Sequence, residues 1–260
     1  METIVHETAV VDPSATIGQG VKIGPYAIIE GDVTIGPNVT IGNHCVITGN
    51  TKIGAGCQFF TGAVIGSAPQ DKKHINSKNS FLTIGDNNVF REYVTVNTGT
   101  EEGGGMTTIG DRNLFMAYAH VAHDCKIGSD CVVANVGHLA GHVIMEDRVI
   151  IGGLTGVHQF VRIGTMSIVG GCSKVVQDVP PYSMCDGDPS KVFGVNIVGL
   201  KRAQFTPVTI STLRKAFKIL FHSGLTKTHA IEKVQQEFGS TIEVDYLIEF
   251  IRGSERGVCG

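Results

Sequence analysis

Five histidines lie between positions 120 and 158 of this chain, and their spacing could support chemistry. Imidazole is the side chain that titrates nearest to neutral pH, so a positioned histidine can act as a general base. His123 is followed directly by Asp124, whose carboxylate could fix the tautomer of the imidazole and raise its basicity. The sequence therefore predicts a general base at His123, with Asp124 as its partner.

These histidines fall on a repeat of six residues. An aliphatic or aromatic anchor recurs at every sixth position from Val5 to Ile65 and, after two interruptions, from Ile109 to Val175. The residue four positions after the anchor is mostly small or β-branched, and the residue directly after it is often glycine. In a triangular parallel β-solenoid each flat side uses one hexad and three hexads form a coil, so the pattern predicts this fold.

Inside such a solenoid, residues 18 positions apart lie one coil above another on the same face. Two pairs of candidate residues have this spacing: His120 with His138, and Asp124 with His142. His123 lies 18 positions before Gly141, so the chain above His123 has no side chain and could present a backbone N–H to an oxyanion. His158 belongs to the next coil. The histidines are therefore expected to share one patch that is two to three coils high.

Two kinds of chemistry fit this patch. No serine or cysteine pairs with His123, because Cys125 takes an inward position, so the first is direct attack by a substrate hydroxyl or amine. The second is an open zinc site, in which three imidazoles from neighbouring coils or subunits, such as those of the pair His120 and His138, hold a metal that activates water. The spacing alone leaves both open.

Composition narrows the function classes. The chain has 260 residues and a net charge of −3, and no basic stretch is interleaved with aromatics, so a nucleic-acid partner is not expected. The first residues lack the features of a signal peptide and no apolar run is long enough for a membrane span, which predicts a cytoplasmic protein. Four of the seven cysteines take small inward positions and are predicted to be free core thiols: Cys45, Cys57, Cys125 and Cys131.

The repeat is interrupted by polar segments near 67–83 and 98–107, which are predicted to leave the prism as loops. We predict a mainly β protein, with a parallel β-helix over residues 1–190 and a small α-helical domain over 191–260. Thr206 and Pro207 favour a helix start, and further helices are expected over 226–238 and 242–252. Basic residues of this tail form either a solvated face or a docking patch for an acidic partner: Lys201, Arg202, Arg214, Lys215 and Lys218.

Six motifs resemble those of one acyltransferase family: Ala119-His120-Val121-Ala122-His123-Asp124-Cys125, Leu139-Ala140-Gly141-His142-Val143, Val157-His158-Gln159-Phe160, Gly170-Gly171-Cys172, Gln177-Asp178-Val179-Pro180-Pro181-Tyr182 and Phe193-Gly194-Val195-Asn196-Ile197. They are similar to those of the acyl-ACP:UDP-N-acetylglucosamine O-acyltransferases, which begin lipid A synthesis. The resemblance covers essentially the whole chain. It implies a left-handed β-helix, a homotrimer with active sites between subunits, a 3-hydroxyacyl donor on acyl carrier protein, and no metal or other cofactor.

The resemblance also implies a role for each candidate residue. His123 would deprotonate the 3-hydroxyl of the glucosamine with Asp124 as its partner, and the N–H of Gly141 would receive the oxyanion. The other implied positions contact the substrates: Asp71 and Lys73 the sugar and the thioester side, His120, His142 and His158 the sugar, Gln159 the diphosphate, and Asn196 and Arg202 the nucleotide end.

Four positions depart from the family pattern, one of which, Lys174, bears on acyl length. Val198 replaces a glutamate, Ala203 replaces an arginine and Asn97 replaces a histidine. Some relatives acylate a 3-amino analogue of the sugar and form an amide. The choice between a hydroxyl and an amine acceptor therefore stays open.

Acyl length is expected to depend on Gly171 and Lys174. An extended 14-carbon chain is about 16 Å long and would span three to four coils of about 4.8 Å each, so it would end near residues 171–177. Lys174 stands where many relatives have glycine, which predicts a shorter donor of about 12 carbons or fewer. In the alternative, Lys174 points to solvent and has no effect on length.

Other readings of the same repeat predict different properties. The later UDP-3-acyl-glucosamine N-acyltransferase of the pathway usually has an additional N-terminal domain, for which hexads that begin at Val5 leave no room. A γ-type carbonic anhydrase-like enzyme would bind stoichiometric zinc. A purely structural solenoid would need no histidine cluster.

Overall fold

The computed structural model describes residues 2–73, 78–239 and 241–260. Over these residues it shows a left-handed parallel β-helix followed by four helices. The strands, in chain order, are β1 (Ile4–Val5), β2 (Val10–Val11), β3 (Thr16–Ile17), β4 (Lys22–Ile23), β5 (Ile28–Ile29), β6 (Val33–Ile35), β7 (Thr40–Ile41), β8 (Val46–Ile47), β9 (Asn50–Ile53), β10 (Gln58–Phe59), β11 (Val64–Ser67), β12 (Phe81–Ile84), β13 (Val89–Phe90), β14 (Thr95–Asn97), β15 (Met106–Ile109), β16 (Leu114–Phe115), β17 (His120–Val121), β18 (Lys126–Ile127), β19 (Val132–Val133), β20 (His138–Leu139), β21 (Ile144–Met145), β22 (Ile150–Ile151), β23 (Gly156–Val157), β24 (Arg162–Ile163), β25 (Ile168–Val169), β26 (Lys174–Val175), β27 (Ser183–Asp186) and β28 (Lys191–Val195).

Three sheets form the sides of the prism. Face 1 has the order β1-β4-β7-β10-β13-β16-β19-β22-β25-β27-β28, face 2 has β2-β5-β8-β11-β14-β17-β20-β23-β26, and face 3 has β24-β21-β18-β15-β12-β9-β6-β3. From β1 to β27 each strand pairs in parallel with the strand one coil away, as in Val121↔Leu139. The predicted spacing of 18 residues per coil is confirmed in coils such as those of His120↔His138 and Val132↔Ile150, and it falls to 16 at the last coil, where Ile168 pairs with Met184.

The anchors of the hexads fill the interior of the prism. Phe59, Phe90 and Phe115 stack along its axis, with neighbouring ring centroids 4.9 Å apart. The four cysteines at small inward positions are free and buried, as predicted. The alternation of one large and one small inward residue per side therefore sets the core packing.

The two interruptions of the repeat lie between β11 and β12 and between β14 and β15. They are shorter than the predicted segments, because β12 and β15 have four residues each. These two strands pair along their whole length, from Phe81↔Met106 to Ile84↔Ile109. Residues 74–77 of the first loop lie outside the described residues.

At its C-terminal end the prism is followed by the hairpin of β27 and β28 and then by the helices, and this end is called the upper end below. Strand β27 extends face 1, and β28 pairs antiparallel with it, so the sheet continues to Val195, beyond residue 190. The helix α1 (Ile197–Arg202) was not predicted, because six residues are too few to show helical periodicity. The other three helices lie where they were predicted. Helix α2 (Pro207–His222) starts at Pro207, α3 (Lys227–Phe238) starts one residue later than predicted, and α4 (Ile242–Arg252) has the predicted bounds.

Polar contacts join α4 to the β-helix. The hydroxyl of Tyr246 donates to the carboxylate of Glu146, and Nη2 of Arg162 lies 3.6 Å from Oε1 of the same carboxylate. The guanidinium of Arg162 also lies over the ring of Phe250, 4.5 Å from its centroid. None of the helices in the described part of the chain is both long and apolar enough to cross a membrane.

Candidate active site

The candidate site lies on face 2, where the outward side chains form one column. His120 on β17 pairs with His138 on β20, which is followed in the column by Gly156 on β23 and Lys174 on β26. The rings of His120 and His138 meet edge to face, with centroids 6.0 Å apart, as their spacing predicts. Above them a Cβ at Gly156 would have nothing within 4 Å, so the column opens into a groove.

His123 borders this groove beside the column. Its Nδ1 lies 2.7 Å from Oδ2 of Asp124, and because a carboxylate only accepts hydrogen bonds, we place the ring proton on Nδ1. The side chains of His123 and Asp124 are 13% and 2% exposed. Among the described residues no hydrogen bond reaches Nε2 of His123, so its lone pair stays available in a residue that lines the groove, which is what a general base requires.

The ring of His123 packs against Gly141 of the next coil. A Cβ on Gly141 would lie 2.7 Å from Nε2 of His123, so only glycine fits there. Among the described residues, no acceptor is hydrogen-bonded to the backbone N–H of Gly141. The structure thus brings the predicted base and the predicted bare backbone position together, and leaves an N–H donor beside them.

His142 lies at the corner next to this pair. Its ring stacks on Phe160 with centroids 4.3 Å apart, and its Nε2 is 3.7 Å from Oδ2 of Asp124. Burial lowers the pKa of His142 below the ordinary value of 6.5, although the charge of Asp124 opposes this shift. His142 is therefore neutral at neutral pH.

His120 has a similar environment. Burial lowers its pKa, and the neighbouring imidazoles of His138 and His123 lower it further. Its Nδ1 lies 2.7 Å from the hydroxyl oxygen of Thr95, one coil below. A neutral ring fixed at one nitrogen can offer the other to a substrate hydroxyl.

The chain is similar in sequence to known proteins over nearly its whole length. Family models match the second domain of UDP-N-acetylglucosamine O-acyltransferases over residues 178–259, and the hexapeptide repeat of bacterial transferases over 14–49 and 106–136. An acyl-[acyl-carrier-protein]--UDP-N-acetylglucosamine O-acyltransferase of Anaeromyxobacter dehalogenans is 42% identical over 254 residues, which cover 98% of each chain. The protein of the same name from Thiobacillus denitrificans is 46% identical, with the same coverage. The chain belongs to this family.

Two solved structures of the family agree with the fold. LpxA from Acinetobacter baumannii matches with a TM-score of 0.95 at 41% identity, covering 99% of this chain and 100% of that one. LpxA from Bacteroides fragilis, a UDP-N-acetylglucosamine acyltransferase, matches with a TM-score of 0.95 at 38% identity and the same coverage. The predicted family and the predicted left-handed β-helix are confirmed.

In this family member His158 lies at the upper end of the groove. Its Nδ1 is 3.1 Å from the carbonyl oxygen of Gln159 and 3.3 Å from Nη2 of Arg256. Arg256 belongs to the C-terminal tail and also donates to the carbonyl of Val176, which lines the groove. Gln159 is exposed at the corner and does not line the groove of its own chain.

The first loop carries Asp71 and Lys73, neither of which lines the groove of its own chain. Oδ1 of Asp71 accepts a hydrogen bond from the backbone N–H of Lys73 at 2.9 Å. The charge of Asp71 reaches His142, whose pKa it raises against the larger effect of burial. Gln70 of the same loop lines the groove, although the sequence analysis did not identify it as a site residue.

Asn196 and Arg202 do not reach the groove of their own chain. Asn196 is 3% exposed; its side chain accepts from the N–H of Gly199 at 2.9 Å and donates to the carbonyl of Met166 at 2.8 Å. Arg202 is exposed in the last turn of α1. Within one chain, Asn196 therefore caps the helix that carries Arg202.

The two predicted length determinants differ in position. Lys174 lines the groove, and its Nζ lies 3.7 Å from Oδ1 of Asp188, with both side chains 65% exposed. Gly171 lies at the corner between faces 1 and 2 and does not line the groove of its own chain. Because an exposed ion pair constrains a lysine weakly, Lys174 can move within the upper groove.

Asn97 also lines the groove. The sequence analysis noted it only as a departure from the family pattern. Its Nδ2 donates to the carbonyls of Ser67 and Ala68, at 3.3 and 3.0 Å. Its Oδ1 is buried and has no hydrogen-bond partner among the described residues. Since both amide protons face carbonyls, the oxygen is held on the other side as an unused acceptor.

A zinc site formed by His123, Asp124 and His142 is poorly served by these side chains. Ligand atoms of His123, Asp124 and His142 do lie within 4.8 Å of one another. The Asp124 carboxylate, however, already accepts from the N–H of Thr100 at 3.0 Å, from its hydroxyl at 2.6 Å and from Nδ1 of His123 at 2.7 Å. A carboxylate with these donors is arranged to orient an imidazole, and a metal would have to displace them.

Proposed function

We propose that this chain transfers a 3-hydroxyacyl group from acyl carrier protein to the 3-position of UDP-N-acetylglucosamine, or of its 3-amino analogue, in the first step of lipid A biosynthesis. The observation that carries the proposal is the contact of His123 with Asp124 and Gly141 in an open groove. Relatives that cover nearly the whole chain have the name of this activity. The buried free thiols fit the reducing cytoplasm.

The reaction requires one proton to move from the acceptor to the leaving group. Nε2 of His123 takes the proton of the sugar 3-hydroxyl as its oxygen attacks the thioester carbonyl. The new oxyanion is stabilised by the free N–H of Gly141. Collapse breaks the carbon–sulfur bond, and the imidazolium returns the proton to the departing thiolate. No covalent enzyme intermediate is formed.

The other histidines bind the sugar as neutral rings in this proposal. Burial lowers the pKa of both His120 and His142, so neither adds a positive charge that would repel the imidazolium of His123. His158 would close the upper end, beside Arg256. Asp71 and Lys73 would contact the sugar and the thioester side from the first loop.

A homotrimer would complete the site. On face 1 the outward side chains of five successive coils are aliphatic: Val89, Leu114, Val132, Ile150 and Ile168. On face 3 most outward residues are threonine, lysine or arginine, as at Thr83, Thr108 and Lys126. An aliphatic face of this length favours burial, and a closed ring would place face 1 of one copy against face 2 of the next.

This arrangement would account for residues that lie outside the groove of their own chain. Helix α1 follows β28 of face 1, so Arg202 would approach the nucleotide in the groove of the neighbouring copy. Asn196 would act there through α1, which it caps. Gln159 would face the diphosphate from the corner of face 2.

The acyl chain would run up the column from His123 towards Lys174. From the coil of β17 to that of β26 there are three coil steps, or about 14 Å. Gly156 leaves room along this path, and Lys174 stands at its end, with Gly171 at the adjacent corner. We therefore propose a preference for chains of about 12 carbons or fewer.

The test is product identification with purified protein. The protein is incubated with 3-hydroxyacyl carrier protein and, separately, with UDP-N-acetylglucosamine and its 3-amino analogue. Mass spectrometry is expected to find an ester or an amide at the 3-position with at least one of them. Absence of acyl transfer to both sugars, with folded protein, would contradict the proposal.

A further inference from the structure

The second loop, residues 98–105, is built around the carboxylate of Asp124. Oδ1 of Asp124 accepts from the backbone N–H of Thr100 at 3.0 Å, and Oδ2 accepts from the hydroxyl of Thr100 at 2.6 Å. Asp124 is 4% exposed and Thr100 is 7% exposed, so water competes little for these contacts. One loop residue therefore holds both oxygens of the carboxylate.

The hydroxyl proton of Thr100 has a fixed direction. The N–H of Gly103 donates to Oγ1 of Thr100 at 3.0 Å. An ionised carboxylate oxygen can only accept, so the hydroxyl donates its own proton to Asp124. A hydrogen bond to a charged acceptor is stronger than a neutral one, and the donor from Gly103 orients it.

Gly103 completes the socket. A Cβ at this position would overlap the carboxylate of Asp124, so the close approach requires glycine. The neighbouring Gly104 contrasts with it, because a Cβ there would meet nothing within 4 Å. The turn is closed by the N–H of Gly105, which donates to the carbonyl of Thr100 at 2.7 Å.

The carboxylate oxygen that accepts from the hydroxyl of Thr100, Oδ2, is also the oxygen that lies nearest to the histidines. Oδ2 of Asp124 lies 2.7 Å from Nδ1 of His123 and 3.7 Å from Nε2 of His142. The backbone of Asp124 is fixed separately, since its N–H donates to Oγ1 of Thr107 at 2.8 Å. Rotation of the carboxylate is therefore opposed mainly by Thr100.

We propose that Thr100 is a positioning residue that holds Asp124 in the one orientation in which Oδ2 fixes the tautomer of His123. The inference rests on the proposed role of His123 as the general base. Thr100 does not line the groove, so it acts through Asp124 and not on a substrate. The second loop thus orients the Asp124 carboxylate, and through it the ring of His123, by a residue that lies outside the hexapeptide repeat.

The direct test is Thr100→Val, which keeps the shape and the backbone N–H but removes the hydroxyl. We expect kcat to fall about 10- to 100-fold, the effect of losing one hydrogen bond to a charged group. We expect KM to stay within about twofold, because no substrate contact is lost. Thr100→Ser, which restores the hydroxyl, is expected to recover most of kcat.

Thr98→Val is the matched control. Thr98 is a buried residue of the same loop, 3% exposed, and its hydroxyl lies 2.6 Å from that of Ser80 instead of contacting Asp124. It is expected to keep the kcat of the wild type. Equal losses of kcat in Thr98→Val and Thr100→Val would mean a general effect of the loop and would overturn the proposal.

A second readout does not depend on turnover. Nitrogen-15 NMR of the ring is expected to show one tautomer of His123 in the wild type, protonated at Nδ1, and a mixture in Thr100→Val. If Thr100→Val does not fold, Gly103→Ala replaces it, because its Cβ displaces the carboxylate. Unchanged kcat and an unchanged tautomer in the folded variant would overturn the proposal.

His123→Ala in the same assay separates this inference from the proposed function. If His123→Ala is inactive while Thr100→Val has neither effect, Thr100 is not a positioning residue and the base assignment stands. If His123→Ala stays active while Thr100→Val alters the tautomer, the base assignment fails and the role of Thr100 in positioning Asp124 stands.

Discussion

The ring of His123 occupies the space that a side chain at position 141 would need, since a Cβ on Gly141 would lie 2.7 Å from Nε2. The two residues are 18 positions apart and therefore on successive coils of the same prism edge. The proposed base and the proposed oxyanion donor are thus placed by the pitch of the β-helix. A rigid scaffold of this kind can hold both groups without a separate catalytic loop.

This contact predicts the effect of Gly141→Ala. The added methyl group would push the imidazole of His123 out of line with the groove, and a displacement of about 1 Å can cost about 100-fold in rate. We expect that loss in kcat with the thermal midpoint little changed. Gly194→Ala is the control, because a Cβ on Gly194 would meet nothing within 4 Å. Wild-type activity in Gly141→Ala would contradict the placement of the ring.

The pKa of His142 gives a second prediction. It is expected below 6.5 in the folded protein, because burial lowers it. The charge of Asp124 raises it, so Asp124→Asn is expected to lower it further. Since the unfolded chain then binds more protons, the stability contributed by this ring decreases as pH falls below about 6.5. Ring-proton NMR titration measures both values, and a rise in Asp124→Asn would refute the electrostatic account.

Lys174→Gly tests the length of the acyl groove. Removing the side chain at the end of the column is expected to shift the preferred donor from about 12 carbons or fewer towards 14. Donors of 10, 12 and 14 carbons on acyl carrier protein are compared by kcat/KM. The control is Lys126→Gly, on face 3 and away from the groove. An unchanged preference in Lys174→Gly would remove this residue from length selection.

Ile150→Lys tests the assembly of the proposed site. Ile150 is 37% exposed within the aliphatic column of face 1, and a charge there would oppose burial against a second copy. Light scattering is expected to show a trimer for the wild type and smaller species with reduced activity for the variant. Thr108→Lys, on face 3, is expected to stay trimeric. A fully active wild-type monomer would refute the trimer.

The histidine column could be predicted from the sequence because the repeat has a fixed pitch. The 18-residue spacing predicts His120 against His138 and His123 against Gly141, and both relationships are present. The same argument identified the free thiols of Cys125 and Cys131 as inward residues. Within the prism, position in the hexad determines position in space.

The contacts that the sequence did not reveal come from segments outside the repeat. Thr100 holds Asp124 from an expelled loop, and Arg256 returns from the C-terminal tail to His158. Neither segment has a periodicity that relates its numbering to a place on the prism. The sequence also did not predict that the Asn196 side chain caps a helix, because α1 is too short to show helical periodicity.

The turnover number of His123→Ala measures the central claim most directly. With 3-hydroxyacyl carrier protein and the preferred sugar nucleotide, kcat is expected to fall by about 10²–10⁴ while the trimer and the fold are kept. The reason is that the ring of His123 is the side chain that packs against Gly141, where the proposed oxyanion donor lies. Retention of more than about a tenth of the wild-type kcat would contradict the assignment of His123 as the general base.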